Sequence, residues 1–159
     1  MEYRQLGQTG MRVSELCFGA LPIGPRQKNL PVDTCAGIIK RALSAGVNFI
    51  DTAQSYETYE PIRRAVQDYG REVIIATKSM AKTYEEMERA ITEAREQLEA
   101  DYIHIFHLHA ARATEQVFSE RAGALRCLVE AREKGIIGAV GLATHSVAAV
   151  KKAATMKEI

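Results

Sequence analysis

The sequence predicts an α/β fold in which a β-hairpin precedes five parallel strand–helix units. Short apolar runs begin near residues 16, 48, 73, 102 and 137, and stretches with helical spacing of apolar residues separate them. Strands that alternate with helices form a parallel sheet with right-handed crossovers. A length of 159 residues, 47% of them apolar, suits one ordinary domain with a buried core.

The N-terminal hairpin is predicted from two short segments, Tyr3–Leu6 and Met11–Val13, joined by a turn at Gly7, Thr9 and Gly10. LCFGAL follows as a continuously apolar strand, which predicts burial on both faces. VNFI, VIIAT, YIHIFHL and IIGAVGLA are the four later strands.

The intervening helices follow from the spacing of apolar residues and from end signals. Thr83 and Glu86 form a capping box before an apolar stripe of Met87, Ala90, Ile91, Ala94 and Leu98. The other helices are predicted over 33–45 and 59–69, up to Lys134–Gly135, and from about Ser146.

This alternation suits both a doubly wound sheet and an eight-stranded barrel. A nucleotide-binding doubly wound sheet carries GxGxxG directly after its first strand, and FGALPIGPRQ lacks that motif. Gly135, Gly138 and Gly141 lie before or within a strand instead of opening a helix. Their spacing therefore indicates close packing and not a phosphate-binding loop.

Composition excludes several classes of protein. The 21 basic and 20 acidic residues leave no charge excess for nucleic acid or an anionic membrane surface. No apolar run reaches membrane-spanning length, and MEYRQLGQTG does not resemble an export signal. Cys17, Cys35 and Cys127 are widely spaced, which favours reduced thiols in a cytoplasmic protein.

Four ionisable residues, Asp51, Tyr56, Lys78 and His109, each stand at or just after the end of a separate apolar run. Parallel strands bring their C-terminal ends to one face, where these side chains can meet. A tyrosine, with a pKa of about 10, needs a nearby ammonium to lower that pKa before it is an efficient acid at neutral pH. A carboxylate would hold the lysine, and an imidazole would orient a carbonyl oxygen.

Three histidines in one strand raise the alternative of a metal site. Side chains alternate between the faces of a strand, so His104 is predicted to lie opposite His107 and His109. Two histidines without a third ligand make a poor zinc site, and no metal is predicted. Tyr59 and Met80 are further candidates, for the mouth of a substrate site.

The stretch EYRQLGQTGMRVSELCFGA, followed by NFIDTAQSYE, resembles the opening of the aldo-keto reductases. The resemblance extends over essentially all 159 residues and is densest over 3–20, 46–56, 73–79 and 100–109. It implies a partial (β/α)8 TIM barrel, with residues 1–159 forming the N-terminal portion of one barrel domain. The branch it resembles has longer members with a C-terminal iron–sulfur segment, whose cysteine cluster does not occur here.

The resemblance implies NADPH-dependent reduction of a small carbonyl substrate. It assigns Tyr56 as general acid, Lys78 as the residue that tunes it, and His109 as the group that orients the carbonyl. Asp51 anchors Lys78 and also contacts the cofactor.

Three positions depart from the family pattern. Thr144 and His145 stand where the family often has the serine and asparagine that bind the nicotinamide carboxamide, and they are the further cofactor candidates. Glu57 replaces a common glycine after the tyrosine, which predicts a change in loop geometry. His104 replaces a common aspartate.

A full family barrel has eight strand–helix units, and five are predicted here. The first and fifth strands are therefore expected to be open edges, covered by a second copy of the chain or by a complementing C-terminal half-barrel. An alternative function follows from the same feature: a catalytically silent half-barrel that serves as an assembly or interaction module.

Overall fold

The computed structural model describes residues 1–159. The strands are β1 (Tyr3–Gln5), β2 (Arg12–Ser14), β3 (Phe18–Gly19), β4 (Phe49–Asp51), β5 (Ile74–Ser79), β6 (Ile103–His109) and β7 (Ile137–Ala143). The helices are α1 (Val32–Ser44), α2 (Tyr59–Val66), α3 (Tyr84–Leu98), α4 (Val117–Glu120), α5 (Ala122–Glu133) and α6 (Val147–Ala153). Two short 3-10 turns cover Leu21–Ile23 and Gln54–Tyr56. None of the helices combines the length and the apolar character needed to cross a membrane.

The strand order decides between the two predicted architectures. β1 and β2 form an antiparallel hairpin, and β3 to β7 form one parallel sheet in the order of the chain. A doubly wound sheet reverses its strand order at a switch point, whereas a barrel adds each strand beside the previous one. The prediction of a hairpin followed by a partial barrel is confirmed, with β3 and β7 at the edges of the sheet.

The capping box of α3 is present as predicted. The Thr83 hydroxyl accepts a hydrogen bond from the Glu86 backbone N–H at 3.2 Å, and the Glu86 carboxylate accepts one from the Thr83 N–H at 3.2 Å. These bonds satisfy donors that would otherwise be unpaired at the start of the helix. The predicted apolar stripe is buried at all five positions: Met87, Ala90, Ile91, Ala94 and Leu98.

The first parallel strand differs from its prediction. β3 has only two residues, Phe18 is half-buried and Gly19 is exposed, so the expectation of burial on both faces was wrong. The physical reason is its place at the edge of the sheet, where β4 is its only neighbour. α2 also ends earlier than predicted, at Val66, and the helix predicted before Gly135 is divided into α4 and α5.

The outer and inner faces of the sheet pack differently. A cluster of 33 buried residues joins the outer face to the helices. On the inner face Ile74, Ala76 and Ile105 pack against Val13 of the hairpin. Asn48, just before β4, bonds to the backbone of β2 at 2.7 and 2.9 Å and so fixes the hairpin at the N-terminal end of the strands. The C-terminal strand ends therefore remain accessible.

Gly138 and Gly141, both in β7, confirm the prediction of close packing, whereas the prediction was wrong for Gly135, which has φ +69° and no atom within 4 Å of an added Cβ. A Cβ atom at Gly138 would collide with the Tyr102 hydroxyl and lie 2.7 Å from the His104 carbonyl oxygen. A Cβ atom at Gly141 would collide with the His107 ring. The absence of a side chain at both positions leaves room for Tyr102 and His107 to pack against β7.

Candidate active site

The structure brings the predicted residues to one end of the sheet. Asp51 ends β4, Tyr56 lies in the 3-10 turn that follows it, and His109 ends β6. Lys78 is the penultimate residue of β5. One cavity of about 330 Å³ is lined by all of these and by both predicted cofactor residues: Asp51, Tyr56, Lys78, His109, Thr144 and His145.

Lys78 is held in a fixed position within this cavity. Lys78 is only 5% exposed, and its Nζ atom donates hydrogen bonds to the two carboxylate oxygens of Asp51 at 2.7 and 2.6 Å. A third hydrogen bond, 2.8 Å long, goes to the backbone oxygen of Thr52. An ammonium has three donors, so these contacts use all of them. The predicted anchoring of Lys78 by Asp51 is present in the structure.

Tyr56 lies between the lysine and the histidine. The Lys78 Nζ atom is 4.9 Å from the centroid of the Tyr56 ring. The His109 ring meets it edge-on, with centroids 6.1 Å apart and planes at 88°. Lys78 therefore acts on Tyr56 through the electrostatic effect of its charge and not through a hydrogen bond.

The protonation of Tyr56 differs from the prediction. Burial, together with the Asp51 carboxylate, raises the pKa of Tyr56 above its ordinary value. We expected Lys78 to lower that pKa, and in this structure the direction is opposite. The reason is that desolvation of the phenolate, together with its repulsion by the Asp51 carboxylate, outweighs the attraction of the Lys78 ammonium before the reaction.

The two inward-facing histidines are both biased towards the neutral form. Burial, reinforced by Lys78, lowers the pKa of His109 below its ordinary value. The same causes lower the pKa of His107 from 6.5 to about 4. The Nδ1 atoms of both rings are buried without a hydrogen-bond partner. At neutral pH each ring can therefore offer one N–H donor and carries no charge.

His104 is separated from this pair, as the alternation of side chains predicts. Its Nδ1 atom accepts a hydrogen bond from the Ile75 backbone N–H at 3.3 Å, and its ring packs edge-on against Tyr102. Burial lowers the pKa of His104 as well. This histidine takes part in joining β5 to β6 and does not line the cavity.

Glu57, the residue after Tyr56, adopts a backbone conformation that favours glycine. Glu57 has φ +56° and ψ +41°, in the left-handed region that favours glycine. The effect of Glu57 on loop geometry relative to the family stays a prediction. A Cβ atom at Gly24 would lie 2.6 Å from the Thr58 methyl carbon and 2.7 Å from the Tyr56 carbonyl oxygen, so the loop packs tightly against that glycine.

Two neighbours of the site were not predicted. Arg121 donates from Nη1 to the carbonyl oxygens of His109 at 2.9 Å and Met80 at 3.3 Å, which links the segments after β5 and β6. Its partners lie 12 and 41 residues away, so no local sequence pattern identifies it. The pKa of the Cys17 thiol is raised to about 11 by partial desolvation and by the nearby Asp51 carboxylate, although the residue as a whole is exposed.

Of the two residues suggested for a substrate mouth, Met80 is 56% exposed beside the strand ends. Tyr59 was a wrong choice, since it is 1% exposed and its hydroxyl bonds to Thr77 on the outer face of β5 at 2.7 Å.

The polar residues of the cavity suit the carboxamide of a nicotinamide. A carboxamide needs both donors and acceptors, which the Thr144 hydroxyl and the His145 imidazole can supply. The Thr144 oxygen accepts from the Ser146 N–H at 3.1 Å, and its own hydrogen remains free to turn into the cavity. Lys78 is the only lysine or arginine among the lining residues, and it is paired with Asp51. A phosphate would find no free cation in this cavity.

Comparison with known proteins identifies the class. A model of the aldo/keto reductase family matches residues 15–159. L-galactose dehydrogenase from Arabidopsis thaliana is 30% identical over 156 residues, which cover 89% of this chain and 49% of that protein. Methylglyoxal reductase DkgB from Escherichia coli O157:H7 is 25% identical over 126 residues, covering 76% of this chain and 46% of that one.

Solved structures show the same fold. An aldo-keto reductase from Bacillus halodurans superposes with a TM-score of 0.80 at 23% identity, over 96% of this chain and 53% of that one. An aldo/keto reductase from Brucella melitensis gives a TM-score of 0.78 at 21% identity, over 99% and 59%. The chain belongs to the aldo/keto reductase family of oxidoreductases. It spans about half the length of the curated relatives described above.

Proposed function

We propose that the chain supplies the proton-transfer residues for NADPH-dependent reduction of aldehydes or ketones to alcohols, with Tyr56 as the general acid. The observation that carries this proposal is the single cavity shared by Tyr56, the Lys78–Asp51 pair and His109. Membership of the aldo/keto reductase family supports the reaction type. A bound reduced nicotinamide supplies the hydride that the carbonyl carbon accepts.

The residues of the chain control the proton. The neutral imidazole of His109 donates an N–H hydrogen bond to the carbonyl oxygen and aligns it. Tyr56 transfers its hydroxyl proton to that oxygen as negative charge develops there. Lys78, 4.9 Å from the Tyr56 ring, stabilises the phenolate that forms, and Asp51 keeps the ammonium in place. The raised pKa of Tyr56 keeps the phenol protonated before the reaction.

Thr144 and His145 are proposed to contact the carboxamide of the nicotinamide. Asp51 is proposed to contact the cofactor as well, since its side chain remains 38% exposed despite its bond to Lys78. The free thiols of Cys17, Cys35 and Cys127 support a cytoplasmic location, where thiols stay reduced.

The sheet edges are proposed as assembly surfaces. β3 and β7 each have a neighbour on one side only, so their outer backbone groups can pair with further strands. A second copy of this chain or a complementing C-terminal half-barrel would provide such strands. The enzyme test therefore includes the chain alone and the chain mixed with the C-terminal half-barrel of an aldo-keto reductase.

The direct test measures carbonyl-dependent oxidation of NADPH with a set of aldehydes and ketones. Tyr56→Phe is expected to lower kcat/KM by about a hundredfold or more, because removal of a general acid has an effect of that order. Tyr102→Phe is the matched control, since that tyrosine is 41% exposed and lies outside the cavity. An unchanged rate in Tyr56→Phe would show that the assignment of the acid is wrong.

The open edges also favour a second candidate function, a catalytically silent assembly module. Light scattering and an NADPH fluorescence titration of the chain separate the two functions. A discrete oligomer that binds no nucleotide supports the module, whereas saturable nucleotide binding supports the enzyme.

A further inference from the structure

We propose that a second cavity, next to the candidate active site, binds an anionic group of the carbonyl substrate, either a carboxylate or a phosphate. The inference rests on the proposed function and names the substrate class. The cavity has a volume of about 540 Å³ and lies between the segments that follow β5 and β6. Its lining includes Met80, Lys82, His109, Arg112, Glu120 and Arg121.

The two cavities share part of their walls. His109 and Ala111 line both the smaller cavity, with Tyr56 and Lys78, and the larger one. One molecule can therefore place its carbonyl oxygen near Tyr56 and His109 while another of its groups extends past His109. Half of the ten residues that line the larger cavity are hydrophobic, which suits the carbon skeleton between the two groups.

Arg121 is the residue that points to an anion. It is half-buried, and its Nη1 atom is fixed by the carbonyl oxygens of His109 and Met80. No carboxylate of the chain forms an ion pair with it, and its Nε and Nη2 atoms make no hydrogen bond within the chain. A guanidinium that is partly removed from water without a counterion is costly, and a bound anion removes that cost. Because two carbonyl groups already hold the guanidinium in place, little ordering is needed on binding.

The surrounding charges favour the same ligand. Lys82 and Arg112 line the cavity as exposed cations without ion pairs, and Glu120 is the one carboxylate on its wall. The nearby Glu86 carboxylate accepts hydrogen bonds from the backbone N–H groups of Lys82 and Thr83 and belongs to the start of α3. The cavity therefore has a net positive charge that attracts anions, with the fork of Arg121 suited to two oxygens.

The test compares two aldehydes that differ in one charge: para-carboxybenzaldehyde and its neutral methyl ester. We expect a KM for the carboxylate that is about tenfold lower than for the ester, since a charge-assisted contact has an effect of that order. Arg112→Ala and Lys82→Ala should raise the KM of the carboxylate severalfold and that of the ester much less. Arg121→Gln, which keeps an N–H donor for the carbonyl groups, should do the same. Lys40→Ala, an equal charge change on the exposed face of α1, is the control.

A second measurement does not depend on turnover. Titration of the isotope-labelled chain with para-carboxybenzaldehyde should shift the backbone amide resonances of Ala111 and Arg112, and the methyl ester should shift them less. Equal KM values for the two aldehydes, with reduction observed, would overturn this inference and leave the proposed function in place. If neither aldehyde is reduced, the wider set of carbonyl substrates decides the proposed function, and the titration decides whether the cavity binds the carboxylate: unshifted Ala111 and Arg112 resonances would overturn this inference.

Discussion

Protonation of His107 is expected to destabilise the fold in mildly acidic solution. Burial lowers the pKa of this histidine from 6.5 to about 4. Its Nδ1 atom has no hydrogen-bond partner, so an N–H group formed there on protonation would lack an acceptor. The pKa is lower in the folded state than in the unfolded one. The stability that the neutral His107 ring contributes is therefore fully present above about pH 6.5 and is lost as the pH falls towards about 4. The linkage relation gives a loss of about 2 kcal/mol between about pH 7 and about pH 5.

The assay is urea unfolding of the chain and of His107→Leu at both pH values. On acidification from about pH 7 to about pH 5, the free energy of unfolding of the leucine variant should fall by about 2 kcal/mol less than that of the unmodified chain. This difference does not depend on the stability of the variant at neutral pH. Burial also lowers the pKa of His104 and His109, so part of the acid sensitivity should remain in the variant. Ile105→Val, a non-titrating change on the same inner face, should keep the full acid sensitivity. An equal loss in His107→Leu and the natural chain would refute the reasoning.

Two further predictions concern residues that His107 and Tyr56 contact. Gly141→Ala should lower the free energy of unfolding by about 1–3 kcal/mol, because the added methyl group collides with the His107 ring. In a His107→Ala background the same substitution should lower the free energy of unfolding much less. An equal decrease in both backgrounds, measured by urea unfolding, would contradict the contact. Lys78→Met should reduce carbonyl reduction by about a hundredfold, since Tyr56 loses the ammonium 4.9 Å from its ring. Its circular dichroism should stay native, because Asp51 is exposed enough to be hydrated; a fully active variant would contradict the role of the ammonium.

The secondary structure was predictable where local signals are strong. The capping box and apolar stripe of α3 depend on residues three or four apart, and the structure reproduces both. β3 was predicted poorly because its burial depends on a neighbour on each side, and an edge strand has only one. The resemblance to a partial barrel predicted this open edge, but the apolar run LCFGAL by itself does not show it.

The candidate site was predictable in its residue types. Asp51, Tyr56, Lys78 and His109 stand at or close to the strand ends, and a parallel sheet collects such positions on one side. The catalytic and cofactor roles of these residues remain predictions that the kinetic variants test. The protonation of Tyr56 was not predictable, because it depends on how much Asp51 neutralises Lys78 and on how far the phenol is removed from water.

The amino-acid sequence alone determined the alternation of strands and helices and the order in which ionisable residues reach the strand ends, because both depend on short-range patterns. Only the tertiary structure decided that the strands follow one another in chain order, that Arg121 reaches the backbone of Met80 and His109, and that the two cavities share His109. These features depend on distances between segments far apart in the chain, and burial and charge at such contacts arise only when the chain is folded.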